Sequence, residues 1–229
     1  MFFLSPPTDA EIARILSKVS ERPYNYEHVG ATEERLRVAP RGYRLSSYGT
    51  TLGIGEAVFE TACAFLADFG NYPASFTRVV SRTISIEEGT VFGTLAMHFG
   101  FTSLHPCRII RIIRAESPRR FGFALGTLPG HIGAGEERFL LTLDDSGHGR
   151  DEEADKGLGE GRDHRPDHAR GGLVRYDVQA ISRPDGLIGR LGTPFFRMFQ
   201  KRFERETLAT MREHCAVAAP PLRGSRVGA

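Results

Sequence analysis

The chain has no tryptophan, only three cysteines, and no apolar run approaching the roughly 20 residues that cross a bilayer. Each shortage removes a class of protein. Cys63, Cys107 and Cys215 are odd in number, far apart and without a C-x-x-C pair, which fits reduced thiols in a cytosol better than a disulfide framework or a zinc site. The opening Met1-Phe2-Phe3-Leu4 is apolar, yet Ser5-Pro6-Pro7 ends it before a secretory core could form and no basic stretch precedes it, so a cytoplasmic protein is expected. An excess of one charge is also missing. With 30 basic against 28 acidic residues the formal charge is +2, too little to expect a nucleic-acid partner, whose binding needs many cations on one face. What is present is ordinary: 229 residues, 40% apolar and 25% charged, enough for one folded domain.

Thr8-Asp9-Ala10-Glu11 has the spacing of a capping box, and Ile12, Ile15, Leu16 and Val19 then recur at helical spacing, predicting a helix to about Ser20. Pro23 to Gly42 has no clear period and reads as a connecting segment. Tyr43 to Leu52 reads as a strand, broken by Gly53-Ile54-Gly55. Glu56 to Phe69 carries Val58, Phe59, Ala62, Phe65, Leu66 and Phe69 three and four apart, one apolar stripe of a helix. The period then changes to two. Strands are predicted at Phe76 to Ser81, Thr90 to Phe99, Leu104 to Arg114, Arg119 to Leu128 and Glu136 to Leu143, joined by gaps too short for parallel crossovers, so the sheet is an antiparallel meander.

Residues 144–172 differ in kind. They hold nine acidic and five basic residues, many glycines and almost nothing apolar, and are expected to form a flexible charged insertion. Taking these from the totals leaves 19 acidic and 25 basic residues, a formal +6 for the remainder. His148, His164 and His168 in this stretch lack the fixed geometry of a metal site, and no metal is expected. Leu173 to Arg183 resumes the alternation. From Gly186 to about His214 a long helix is predicted, with Leu191, Phe195, Phe199, Phe203, Leu208 and Met211 on one side and a kink or break near Pro194; residues 215–229 read as a disordered tail. The expected architecture is therefore α+β: a curved antiparallel sheet of about seven strands packed on a long C-terminal helix, with an extra N-terminal helix, forming a single domain over residues 1–214. That is the order of elements of helix-grip proteins, the START and birch-pollen-allergen-like superfamily, which usually hold a cavity between sheet and helix.

Several strings carry a narrower resemblance. Leu52-Gly53-Ile54-Gly55-Glu56, His98-Phe99-Gly100, Cys107-Arg108-Ile109, Phe121-Gly122-Phe123-Ala124, Gly126-Thr127-Leu128-Pro129-Gly130-His131 and Gly135-Glu136-Glu137-Arg138-Phe139 resemble the family known as the domain of unknown function numbered nineteen-ninety, and Tyr176-Asp177, Ser182-Arg183-Pro184 and Arg202-Phe203 continue the match. The resemblance covers residues 1 to about 214 outside the charged stretch. It implies the helix-grip fold and supplies no reaction.

The site candidates follow from these strands. Gly53-x-Gly55 is not a dinucleotide fingerprint, because Val58 stands at the third glycine position and Glu56 opens the helix with a negative charge; no Walker lysine, nucleophile elbow or H-E-x-x-H is present, and no cofactor is expected. His131, in a glycine-bounded turn, could meet Glu136 or Glu137 at the start of the next strand as an acid/base pair, or these groups could simply hold the loop backbone. His98 shares a strand face with Phe92, Thr94 and Ala96. Arg108 shares one with Ile110 and Ile112, and either points into a cavity or pairs with Glu136 or Asp177. His105 and Cys107 share a face, with a packed thiol the better reading. Tyr24, Tyr26 and His28 form a lid over the cavity mouth or pack the first helix on the sheet.

The function expected first is binding of a small, largely apolar or amphipathic molecule between sheet and final helix, with His98, Arg108 or Tyr176 holding a polar end and His131 and Glu136 nearby. The second is an enzyme on the same fold, using His131 with Glu136 or Glu137 as acid/base and Arg108 to stabilise an anion. The third is a protein or membrane-surface interaction module, suggested by Arg197, Lys201, Arg202 and Arg205 opposite the phenylalanines of the last helix.

Overall fold

The computed structural model describes residues 1–81, 85–98, 100–144, 171–185 and 193–217, with the side chains of Ser81, His98 and residues 193–196 excepted. The elements in chain order are β1 (Phe2–Phe3), α1 (Asp9–Val19), β2 (Arg44–Ile54), α2 (Glu56–Ala67), β3 (Thr77–Ser81), β4 (Val91–His98), β5 (Phe101–Glu116), β6 (Arg119–Thr127), β7 (Gly133–Asp144), β8 (Leu173–Pro184) and α3 (Thr193–Ala216). The capping box at the first helix is formed: the Glu11 amide donates to Thr8 Oγ1 at 3.3 Å and the Thr8 amide donates to Glu11 Oε2 at 2.8 Å. Between β2 and α2 the chain reverses at Gly55, whose φ of 95° is open to glycine and costly for any other residue.

The strands form one antiparallel sheet in the order β2-β8-β7-β6-β5-β4-β3. From β3 to β8 each strand pairs with the next along the chain, the meander expected from the short gaps, and β2 adds to the far edge beside β8. One strand is new. β5 is 16 residues long and β6 only 9, so the start of β5 extends beyond β6, and β1 pairs there through Phe2 with Ser103 and Phe3 with Thr102. The apolar opening of the chain is thus an integral edge of the sheet.

The concave face is covered by two helices. Val58, Phe59, Ala62 and Leu66 of α2, and Met211 and Cys215 of α3, are buried against Phe92, Phe123, Phe139, Leu141, Val174 and Tyr176 of the sheet, with Phe203 and Leu208 at the margin. The final helix was expected to cover this face alone; α2 shares it. Pro194 stands in the first turn of α3, where its missing N–H costs no hydrogen bond, so the described helix needs no kink. The expected start of this helix at Gly186, together with Leu191, lies outside the described residues, as do 145–170 of the charged insertion and the tail after Val217. On the opposite, convex face α1 packs Ile12 and Leu16 on Leu95 and Leu104. The sheet therefore has a helical layer on each side, and it is the concave one that encloses space.

Candidate functional site

Residues 20–36 form a strap across the convex face, neither a lid nor a spacer for α1. Arg108 on β5, Gly126 on β6 and Glu136 on β7 are register partners in one row. Tyr24 and Tyr26 lie over the glycine in the middle, their rings 5.6 Å apart, where a β-carbon at Gly126 would collide with the Tyr26 hydroxyl and the Tyr24 ring. The Arg108 guanidinium sits 5.1 Å from the Tyr24 ring and donates to the carbonyls of Ser20 at 2.7 Å and Arg22 at 3.0 Å. The Glu136 carboxylate accepts from the Tyr26 hydroxyl at 3.0 Å, the Gly30 amide at 2.7 Å, the Thr32 amide at 2.8 Å and the Thr32 hydroxyl. Further along, Gln179 accepts from the Leu36 amide and donates to its carbonyl.

This arrangement corrects two expectations. Arg108 neither enters a cavity nor pairs with Glu136 or Asp177. Strict alternation puts Arg108 on the face of Ile110 and Ile112, but the register shifts between Ile109 and Arg111, so that Arg108 and Arg111 both lie outside while Ile109 and Ile112 face the core. Glu136, likewise, spends its carboxylate on the strap and does not form a pair with His131.

On the concave side a chamber of about 590 Å³ lies between the sheet and the first half of α3. Phe2, Phe3 and Leu4 wall one end; Tyr72, Phe76, Phe101, Phe199 and Phe203 supply aromatic surface; Ala96, Leu125 and Ala180 form part of the floor. The carboxyl and imidazole groups that face it fall in two places. At one, Glu137 of β7 accepts from the Tyr48 hydroxyl of β2 at 3.3 Å, with Glu204 of α3 nearby. At the other, the rings of His105 and His131 meet edge to face, centroids 4.8 Å apart. His105 Nε2 is 2.7 Å from Ser103 Oγ, and His131 Nδ1 is 2.9 Å from both the amide and the carbonyl of Gly133.

Enclosure sets the ionisation of these groups. Glu137 is surrounded by the chamber walls, and this desolvation pushes its carboxyl up to about 7, with the Glu204 charge adding to the rise and the Tyr48 hydrogen bond opposing it. Desolvation pushes the His131 imidazole down to about 4, reinforced by the Met1 ammonium, while the Gly133 carbonyl opposes. The Met1 amino group lies close because it donates to the carbonyls of Leu104 at 2.9 Å and Gly130 at 2.6 Å. At neutral pH the chamber thus holds a neutral imidazole and a carboxyl near its midpoint. Burial raises the Cys107 thiol well above the ordinary range, so it is a packed, unreactive group.

Of the residues singled out from the sequence, His131 and Glu137 line the chamber, and Glu136 borders it with its carboxylate bound to the strap. Tyr176 does not reach it: its hydroxyl is buried between Asn71 Nδ2 at 3.2 Å and Thr207 Oγ1 at 3.3 Å, joining the sheet to the chain after α2 and to α3. The side chain of His98 lies outside the described residues. Tyr48 and Glu204 were missed, since they become neighbours of Glu137 only when β2 and α3 pack on β7. The side of Glu137, by contrast, was readable: it shares parity with Phe139, Leu141 and Leu143, the buried face of β7. Among the described residues no group of three or more His, Cys, Asp or Glu is placed to hold a metal ion.

An antiparallel sheet wrapped around a long C-terminal helix, with a chamber between them, defines a helix-grip protein. The chain belongs to the family of the Domain of unknown function (DUF1990), whose pattern matches residues 25–150 and 165–210. It is 33% identical over 216 residues to the UPF0548 protein of Deinococcus radiodurans, covering 90% of this chain and 94% of that one. It is 26% identical over 213 residues to the UPF0548 protein of Dictyostelium discoideum, covering 89% and 90%. Among solved structures, Ara h 8.0201 overlays with a TM-score of 0.43 at 14% identity, covering 77% of this chain and 99% of its own. A hypothetical protein from Helicobacter pylori overlays at 0.46 and 10% identity, covering 75% and 88%. Among the described residues no helix is long and apolar enough to cross a membrane.

Proposed function

We propose that the protein binds a small, largely apolar molecule in the chamber between the concave face of the sheet and α3. The observation that supports this is the chamber itself: about 590 Å³ of space, walled mainly by aromatic and aliphatic side chains, with a few convergent polar groups at Glu137 and at the histidine pair. Such a combination binds by burial, at about 25 cal/mol per Å² of apolar surface removed from water, and orients by its polar contacts. The apolar side of α3 supports the same use, because Phe203, Leu208 and Met211 face the core and are unavailable to a membrane surface. Native mass spectrometry of the protein purified from cells tests the proposal, together with uptake of a fluorescent apolar dye. A bound species, or dye uptake that Ala180→Phe blocks, is the expected result; a clean apo mass with no dye uptake overturns it.

Acid–base catalysis in the same chamber is a second reading, favoured by a carboxyl held at about 7, where it can give and take a proton at neutral pH. The acid/base role passes to Glu137, while His131 stands at the other polar place of the chamber and is not among the groups that act on it. Incubating the bound species with the protein in D2O tests it: deuterium incorporation or a change in mass that Glu137→Gln removes is expected, and an unaltered ligand overturns this reading.

A further inference from the structure

Among the described residues the polar end of the chamber is acidic and holds no counter-ion. Of the three glutamates among its described lining residues, Glu136 gives its carboxylate to the strap, which leaves Glu137 and Glu204, and there is no lysine or arginine. The cations of α3 are elsewhere: Arg197, Lys201, Arg202 and Arg205 line a separate surface depression with Arg44 of β2. Among the described residues neither glutamate takes part in an ion pair. The titratable groups that act on Glu137, or on which it acts, come from every element around it: Tyr48 of β2, Tyr72 after α2, Cys107 of β5, Tyr176 of β8 and Glu204 of α3. None is a cation. Of the other ionisable groups in the chamber, His131 is held neutral by its enclosure and His105 lies against it.

A carboxylate enclosed by apolar walls beside a second carboxylate, with no cation to meet it, is costly when ionised. A ligand that brings a cation removes that cost. A ligand carboxylate would add a third like charge, and a neutral alcohol would offer hydrogen bonds without charge compensation. Resting on the binding reading above, we propose that the chamber selects an amphipathic amine, its ammonium seated against the Glu137 carboxylate and the Tyr48 hydroxyl with Glu204 beside them, and its apolar tail along Phe76, Phe101 and Phe199. Binding then converts Glu137 from carboxyl to carboxylate: the O–H bond breaks, the proton leaves to the buffer, and the ligand stays an ammonium.

Isothermal titration of the full chain with octylamine, octan-1-ol and octanoate, which share one alkyl chain, tests this at about pH 6.5, where the carboxyl is mostly protonated. Octylamine is expected to bind roughly tenfold or more tightly than octan-1-ol, the gain of a charge-assisted hydrogen bond, with octanoate weakest. Amine binding is expected to release a proton, seen as a dependence of the heat on the buffer's ionisation enthalpy. Glu137→Gln should abolish both the preference and the proton release while octan-1-ol still binds; Glu204→Gln, which removes a charge that holds the Glu137 proton, should lower the preference and reduce the release without abolishing it. Binding of octan-1-ol or octanoate without a preference for octylamine overturns the amine proposal and leaves the chamber reading standing. Failure of all three to bind overturns the chamber reading and the amine proposal together.

Discussion

Glu136 and Glu137 are consecutive on β7, and their carboxyls lie on opposite faces of the sheet, one tied to the strap by Tyr26, Gly30 and Thr32 and the other facing the chamber beside Tyr48. The two positions therefore separate stability from binding. Glu136→Ala removes the acceptor of four buried or half-buried donors and is expected to destabilise the fold by about 3 kcal/mol or more, with little effect on a chamber ligand in the protein that remains folded. Glu137→Gln is expected to weaken amine binding without destabilising the fold. Urea unfolding alongside ligand titration reads both, and equal effects of the two substitutions on binding would contradict the assignment of faces.

The Glu137 carboxyl also makes stability depend on pH. Its value rises from the ordinary 4.5 to about 7 on folding, so between these limits the folded state holds a proton that the unfolded chain has lost. Stability from this group is greatest below pH 4.5 and falls as the pH rises to about 7, by at most on the order of 3 kcal/mol. Unfolding curves of wild type and Glu137→Gln should accordingly converge in acid and part above neutrality, the variant being the more stable at pH values above about 7.

His131 acts in the opposite sense. Its pKa falls from 6.5 to about 4 on folding, so its contribution is complete above pH 6.5 and is lost as the pH drops toward 4. A nuclear magnetic resonance titration of the imidazole should show it neutral at pH 6, where an exposed histidine is more than half protonated. A midpoint near 6.5 would show that the ring is not enclosed as described.

Gly126 carries the strap. The Tyr24 and Tyr26 rings occupy the place of a side chain there, so Gly126→Ala forces both tyrosines away and disturbs their contacts with Arg108 and Glu136. A loss of about 1–3 kcal/mol is expected from the overpacking. Hydrogen exchange should locate the loosening in residues 24–32, and protection unchanged there would count against the strap's seat.

The strands β2 to β8, their antiparallel order and the apolar stripes of α2 and α3 were legible in the chain itself, because a period of two or of 3.6 and a short gap are local properties that every residue of an element repeats; the family was legible from its own residue strings, such as Gly126 to His131 and Gly135 to Phe139. So was the inward side of Glu137, through its parity with Phe139 and Leu141. What tertiary structure decided lies where that repetition is broken or absent. A register shift after Ile109 broke the parity between Arg108 and Ile112, so Arg108 lies opposite the face that Ile112 takes. Two residues were enough for β1 because β5 outruns β6 and leaves backbone groups to be paired, a vacancy created by other strands. The aperiodic segment from Pro23 found its place only once Gly126 offered a seat for its tyrosines. The meeting of Tyr48, Glu137 and Glu204 likewise belongs to three elements at once, and packing alone brings them together.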